Sequence, residues 1–188
     1  MAIVLASGSP RRRQILQEAG FSFTLLPLDV DESFSSDMPA LNVPLMLAQR
    51  KMEAAKSAAH SEDIIITADT VVVLDDQIIG KPVDRSDAFK ILQSLSGKKH
   101  MVISGICIAR GTTQIDMEVT TAVYFDVIND DEINFYLDQY QPYDKAGAYA
   151  IQEWIGMNKI TRIEGDYYNV VGFPMSKIYP VLNTLLNL

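Results

Sequence analysis

Apolar runs and helical spacings alternate along the first half of the chain. AIVLAS predicts a short buried strand, FTLLPLDV a second strand ending in Asp29, Asp31 and Glu32, and DIIITADTVVVL a third. Ser9 and Pro10 supply an N-cap and a first helical position, and Gly20 ends this first helix. Pro44 opens a second helix, whose apolar face recurs at spacings of three and four: Leu45, Ala48, Met52, Ala55 and Ala59.

The second half of the chain contains longer apolar segments that predict antiparallel pairing. HMVISGICIAR and MEVTTAVYFDVI flank the turn GTTQ, and NKITRIEGDYYNVVGFP predicts a strand, a turn and another short strand. Asp84, the Asn129–Glu132 pair and Pro174 mark the starts of three further helices. Strands alternating with helices, followed by antiparallel strands, predict an α/β fold with a mixed sheet in one domain over residues 1–188.

Composition narrows the class of protein without identifying it. The chain has 188 residues, 48% of them hydrophobic, and one cysteine, so a disulfide framework is excluded and a cytoplasmic location is expected. No secretory signal pattern and no apolar run of membrane-spanning length is present, so no membrane association is expected. The net charge of −8 argues against a nucleic-acid polymer as partner but permits a small phosphorylated ligand.

The segment SGSPRRR joins the first strand to the first helix and is a candidate phosphate site. Free backbone N–H groups and the helix dipole favour an anion at such a junction, and Ser7 and Ser9 add hydroxyl donors. Arg11, Arg12 and Arg13 oppose the dipole, a placement that a bound anion would turn from unfavourable to favourable. The alternative is an ordinary capped helix with solvated arginines.

Asp69 interrupts an otherwise apolar run. A carboxylate in such a place must be paired, bind a metal or shift its pKa. It is either a strand-end residue that accepts backbone hydrogen bonds, or a metal ligand or general base at a strand terminus. Asp31 and Glu32, taken alone, fit a solvated loop; together with Asp69 they fit the oxygen ligands of Mg²⁺.

Several isolated polar residues complete the set of candidates. Lys81 follows a turn glycine and Lys51 lies beside the apolar face of its helix; each is either a solvated lysine or a partner for phosphate. Gln152 ends an apolar stretch, and its amide can both donate to and accept from the edge of a base. The chain contains no zinc motif, no Walker-type loop and no GxSxG elbow. Taken together, these residues favour a nucleoside phosphate as ligand.

Five blocks, in order from residue 5 to the final helix, resemble the Maf family: LASGSPRRRQIL, ADTVVVLDDQIIGKP, LSGKKH, DKAGAYAIQ and GDYYNVVGFP. The resemblance implies a fold similar to the inosine-triphosphate pyrophosphatases, an elongated mixed α/β sheet with flanking helices and two lobes around a cleft. It also implies hydrolysis of nucleoside triphosphates to the monophosphate and pyrophosphate with a divalent cation, Mg²⁺ or Mn²⁺. It leaves a homodimer open.

Three positions separate the subgroups of this family. Arg11, Thr70 and Gln152 match the subgroup that acts on dTTP and UTP, whereas the subgroup that prefers 7-methyl-GTP has other residues there. The resemblance therefore implies that these three residues set the choice of base. Two departures stand out: Glu153 replaces the usual glycine after Gln152, and Arg13 extends the usual arginine pair.

The same resemblance assigns the remaining roles. Asp69 is implied to be the proton acceptor and, with Glu32, to hold the metal. Phosphate contacts are expected from Ser7, Ser9, Arg12, Lys51 and Lys81. The function implied is removal of pyrimidine nucleotides, including modified ones, from the nucleotide pool. The alternative is a nucleotide-binding regulator of septum formation and cell division, in which hydrolysis is incidental.

Overall fold

The computed structural model describes residues 1–186, which form seven strands and seven α-helices. The strands are β1 (Ile3–Leu5), β2 (Phe23–Leu25), β3 (Ile64–Leu74), β4 (Gln77–Ile79), β5 (Lys99–Arg110), β6 (Thr113–Phe125) and β7 (Ile160–Glu164). The helices are α1 (Pro10–Glu18), α2 (Val43–Lys56), α3 (Arg85–Leu95), α4 (Asp130–Tyr140), α5 (Trp154–Lys159), α6 (Tyr167–Val171) and α7 (Met175–Leu186). None of the helices in this part of the chain is long and apolar enough to cross a membrane.

The strands form one sheet in the order β2-β1-β3-β5-β6-β7, with β4 paired to β3. Strand β1 is parallel to both β2 and β3, whereas β4 is antiparallel to β3 and β7 is antiparallel to β6. The two residues 111–112 connect the neighbouring strands β5 and β6, which requires an antiparallel hairpin. The predicted α/β fold with a mixed sheet is confirmed.

Contacts divide the chain into two compact units. Unit 1 comprises residues 1–69, 104–119 and the segment from Gly172 onwards, and unit 2 comprises residues 70–103 and 120–171. Three of the divisions fall inside β3, β5 and β6, and the fourth falls at the end of α6. The predicted cleft and the single domain 1–188 stay predictions, and residues 187 and 188 of that domain lie outside the described residues.

Unit 1 buries the inner face of α2 against apolar residues of β3 and β5 and against Ala6, which follows β1. The cluster contains Ala6, Ala48, Met52, Ala55, Ile65, Cys107 and Ala109. Gly105 permits a close approach of β5 to α2, because a β-carbon there would lie 2.3 Å from the backbone of Leu45. Cys107 is buried in this cluster, and desolvation raises the pKa of its thiol to about 12. It is an inert core residue.

Unit 2 packs α3 and α4 around a second core. Asp84 caps α3 through the N–H of Asp87, and Asn129 with Glu132 forms the predicted capping box of α4. The core contains Leu92, Leu95, Val102, Val123, Ile133, Tyr136, Leu137, Tyr149 and Ile155. Local capping signals therefore located these helices correctly.

Two predicted elements differ from the structure. The strand expected over FTLLPLDV covers only Phe23–Leu25, since Pro27 has no N–H to donate to a continuing ladder. The second short strand expected in GDYYNVVGFP is wrong, because Tyr167–Val171 is helix α6. Asn169 explains the helix: its backbone N–H is bound by Asp166 and its side-chain amide donates to Val102 and Thr121.

His100 is a buried imidazole in the core of unit 2. Its Nε2 lies 2.7 Å from the hydroxyl of Tyr149, and its ring packs edge-on against Phe125 and Tyr149. Among the described residues, Nδ1 has no hydrogen-bond partner. Desolvation by burial lowers the pKa of His100 to about 4, since a second proton would place an unpaired N–H and a charge in the core.

This pKa predicts a loss of stability in mild acid. Above pH 6.5 the imidazole is neutral in both states; as pH falls towards 4, only the unfolded chain gains the proton. Folding stability should therefore fall by on the order of 3 kcal/mol across that window. Urea titrations at several pH values should show this loss in the native chain and a smaller loss in His100→Gln. His60→Gln, at the other, exposed histidine, should behave like the native chain; an equal slope in all three would contradict the assignment.

Candidate active site

The loop between β1 and α1 is ordered by its own serines. Ser9 is the N-cap of α1, and its side chain accepts from the backbone N–H of Arg12 at 3.5 Å. The hydroxyl of Ser7 accepts from the backbone N–H of Ser9 at 3.2 Å. Both serines are half-buried. The predicted capped helix start is confirmed, and its binding of phosphate stays a prediction.

Arg12 turns back into unit 1 and binds oxygen atoms of the protein. Its Nε donates to the carbonyl of Gly172 at 3.0 Å, and one terminal nitrogen donates to the carbonyl of Ala68 at 2.7 Å and to Ser7 Oγ at 3.3 Å. Desolvation lowers the pKa of Arg12, and the charge of Asp69 opposes that shift. Arg12 thus holds α1 to the residue that precedes Asp69.

The three arginines occupy different environments. Arg11 is half-buried, Arg12 makes the contacts described above, and Arg13 is exposed. The expected roles of Arg11 in base choice and of Arg12 in phosphate binding stay predictions.

Asp69 lies in the middle of β3, so the strand-end position expected in both alternatives is wrong, and its role as metal ligand or general base stays a prediction. Every residue of this strand is buried except Asp69 and its neighbour Thr70, which are half-buried. The carboxylate is satisfied by a cation, because Lys51 Nζ lies 2.6 Å from Asp69 Oδ1. Glu32 Oε1 lies 2.6 Å from the same nitrogen. Lys51 is therefore not a solvated lysine, because its ammonium bridges the carboxylates of Glu32 and Asp69.

The loop that carries Glu32 is held in place on both sides. Asp31 accepts from the N–H and the hydroxyl of Ser33 at 2.9 and 2.7 Å, and these bonds lower the pKa of Asp31. Arg50 donates to the carbonyls of Asp31 and Ser33. Asp31 thus orders the loop, and Arg50 is a positioning residue that the sequence analysis missed. Its place beside Lys51 on α2 was the available signal.

The carboxylates of Glu32 and Asp69 fit a divalent cation whose other ligands are water and substrate phosphate. Two carboxylates, from Asp69 and Glu32, contact one cationic nitrogen and so converge on one point. Within residues 1–186 no cluster of three potential metal-ligating side chains occurs. Mg²⁺ commonly binds through one or two carboxylates, substrate phosphate and water, so this donor set is adequate.

The other predicted site residues belong to unit 2. Thr70 is half-buried in β3, Lys81 is exposed after β4, and Gln152 is exposed in the turn before α5. Gln152 lines an open pocket of about 460 Å³ together with Met157 and Tyr167. In unit 1 the structure joins Arg12 to Ser7 and Ser9, and Lys51 to Glu32 and Asp69, and Arg11 lies in the same unit. Unit 2 contains Thr70, Lys81 and Gln152, the last of them in a pocket.

The contacts of Arg12 predict a stability effect that its neighbour lacks. Arg12→Ala leaves two carbonyls without their charged donor, and we expect a loss of about 3 kcal/mol of folding free energy. Arg13→Ala should stay within about 0.5 kcal/mol of the native chain. Urea denaturation of both variants measures the difference, and equal stabilities would contradict a clamping role for Arg12.

The sequence of this chain was compared with family models and with the sequences of curated proteins. The sequence model of the Maf family, described as Maf-like protein, matches residues 2–185. A protein of Bacteroides thetaiotaomicron is 41% identical over 97% of this chain and 95% of its own length. One from Parabacteroides distasonis is 44% identical over 96% and 94%, and one from Flavobacterium johnsoniae is 38% identical over 98% and 95%. Each of the three is named dTTP/UTP pyrophosphatase.

Solved structures show a more distant likeness. The Ham1 protein of Staphylococcus aureus is 15% identical, with a TM-score of 0.48 over 65% of this chain and 71% of that one. A dITP/XTP pyrophosphatase of Mycobacterium abscessus is 12% identical, with a TM-score of 0.40 over 66% and 74%. At these scores the likeness carries no argument. The family match and the relatives of 38–44% identity span nearly the whole chain, and the chain therefore belongs to the Maf family.

Proposed function

We propose that this chain is a hydrolase that converts dTTP and UTP to the monophosphate and pyrophosphate and so clears pyrimidine nucleotides from the cellular pool. The observation that supports it most is the paired set of Asp69, Lys51 and Glu32 in a chain with full-length relatives named dTTP/UTP pyrophosphatase. A sensor that only binds nucleotide has no need of a carboxylate inside a buried strand.

Asp69 is proposed to act as general base. A water molecule attacks the α-phosphorus, the bond from that phosphorus to the bridging oxygen breaks, and pyrophosphate leaves with both electrons of the bond. The proton of the water passes to the Asp69 carboxylate, which the structure holds in a half-buried strand position. Lys51, already 2.6 Å from Asp69, supplies positive charge beside the reacting phosphate.

The remaining cationic and hydroxyl groups are proposed to position the triphosphate. Ser7 and Ser9 present donors at the start of α1, where the helix dipole favours an anion. Arg12 holds that loop against β3 through the Ala68 carbonyl, and Lys81 is an exposed cation after β4. Positioning and charge neutralisation account for most of the catalysis of phosphoryl transfer.

A divalent cation, Mg²⁺ or Mn²⁺, is the proposed cofactor. When bound, it neutralises phosphate charge and makes water more acidic. Glu32 and Asp69 are the residues that would hold it, and Lys51 would then exchange its contact with Glu32 for one with phosphate. The Arg50 clamp on the Glu32 loop keeps that carboxylate available in the same place.

Base selection is assigned to Arg11, Thr70 and Gln152. A site built to hydrogen-bond one base rejects another that leaves its polar groups unpaired, so selectivity for thymine and uracil is physically reasonable. We also propose a cytoplasmic location and a nucleotide, rather than a nucleic-acid polymer, as the partner. A homodimer stays a prediction, which sedimentation equilibrium measures directly.

A nucleotide screen tests the proposed activity. Purified protein with Mg²⁺ or Mn²⁺ should release pyrophosphate from dTTP and UTP with kcat/KM at least about tenfold above that for purine triphosphates. Measurement of both pyrophosphate and monophosphate fixes the bond that is cleaved. Activity confined to purine triphosphates would contradict the substrate assignment. Less than one product per chain with tight nucleotide binding would favour the regulator instead.

Replacement of the carboxylates separates their roles. Asp69→Asn should lower kcat by at least about 100-fold while an α,β-imido analogue of dUTP still binds, because the base is lost and the phosphate donors remain. Glu32→Gln should mainly raise the Mg²⁺ concentration that gives half-maximal rate. Asp37→Asn, an exposed carboxylate of the same loop, is the matched control and should leave both quantities unchanged. Full activity of Asp69→Asn removes Asp69 from the reaction.

A further inference from the structure

Glu153 directly follows Gln152 in the turn that precedes α5. It is the N-cap residue of α5, yet its side chain makes no capping hydrogen bond. Its carboxylate is instead turned away from the helix start and lies four-fifths buried, with 20% of the side chain exposed. A buried carboxylate with protein partners indicates a role other than helix capping.

Two residues of unit 2 bind the Glu153 carboxylate. Lys145 Nζ lies 3.4 Å from Oε1, and the Lys145 side chain is only 11% exposed. The hydroxyl of Tyr136 donates a short hydrogen bond to Oε2 and accepts from the backbone N–H of Ala150 at 3.2 Å. Tyr136 is itself fully buried on α4. One phenol thus holds two points of the segment that carries Gln152.

The backbone around Gln152 is also confined from the other side. The N–H of Glu153 donates to the carbonyl of Ala150 at 3.1 Å, which closes a turn with Gln152 inside it. A β-carbon on Gly156 would lie 1.8 Å from the carbonyl oxygen of Ile151. These contacts fix the backbone from which the Gln152 side chain extends, and the Glu153 carboxylate ties the same turn to α4.

We propose that Glu153 is a positioning residue for base selection, which holds the Gln152 turn against Tyr136 and Lys145. The inference rests on the proposed function, in which Gln152 contacts the base. An amide discriminates between bases only if its donor and acceptor ends are fixed, because a freely turning amide satisfies either pattern. The largely buried bonds of Glu153 to Tyr136 and Lys145 hold the backbone from which that amide extends, and so restrict the positions that it can reach.

Steady-state kinetics with dTTP and dGTP test this role. Glu153→Gly should raise KM for dTTP by about tenfold while kcat changes by less than about threefold, because the reacting phosphate is untouched. KM for dGTP should stay the same, so selectivity falls. Glu153→Gln keeps an acceptor for Tyr136 and should recover part of the selectivity. Tyr136→Phe should resemble Glu153→Gly.

A double-mutant cycle separates positioning from general stability. Gln152→Ala should lose selectivity by itself, and adding Glu153→Gly to it should lower selectivity no further. Additive losses of selectivity would overturn the inference. Glu132→Gln is the matched control, because Glu132 forms a 2.6 Å ion pair with Lys159 in the same unit and is no part of the Gln152 turn. It should alter stability alone.

The outcomes distinguish this inference from the proposed function. A native chain that hydrolyses no nucleotide overturns the proposed function. A native chain selective for dTTP, with unchanged selectivity in Glu153→Gln and Tyr136→Phe, overturns only the role of Glu153. If Glu153→Gly does not fold, these two conservative variants still test whether Glu153 contributes to selectivity.

Discussion

A carboxylate in the middle of a buried strand is the constraint around which unit 1 is arranged. Asp69 is tolerable in β3 only with a cation at hydrogen-bond distance, and α2 provides one in Lys51. The same ammonium attracts Glu32, whose loop is fixed by Arg50 from the preceding position of the helix. The ammonium of Lys51 thus connects helix α2 to the buried Asp69 and to the loop that carries Glu32.

Several charged side chains of this protein are held in place by hydrogen bonds or ion pairs with protein groups. Arg12 is held by two backbone carbonyls, Asp31 by Ser33, and Glu153 by Tyr136 and Lys145. Each partner removes rotational freedom from a long side chain before any ligand arrives, and this reduces the entropy lost on binding. Under the proposed function, selectivity would then depend in part on residues that need not touch the substrate.

The sequence was sufficient to predict those features whose interacting residues lie close together in the chain. Ser9, Asp84 and the Asn129 capping box were predicted because their partners lie three residues away. The apolar spacing of α2 predicted Ala48, Met52 and Ala55 of its buried face correctly, but Leu45 is half-buried and Ala59 lies beyond the end of the helix. The partners of Arg12 were beyond prediction, since Gly172 lies 160 residues along the chain. The spacing of apolar residues could not separate helix α6 from a strand, because side-chain bonds of Asn169 decide it.

The division of the chain inside its strands has a consequence for biosynthesis. Unit 1 needs both its first residues and the segment from Gly172, where Arg12 binds a carbonyl and Tyr179 packs against Phe21. Contacts between residues far apart in the sequence close late and slow folding. During synthesis, the β1–α1 loop therefore cannot gain its bond from Arg12 until Gly172 has left the ribosome.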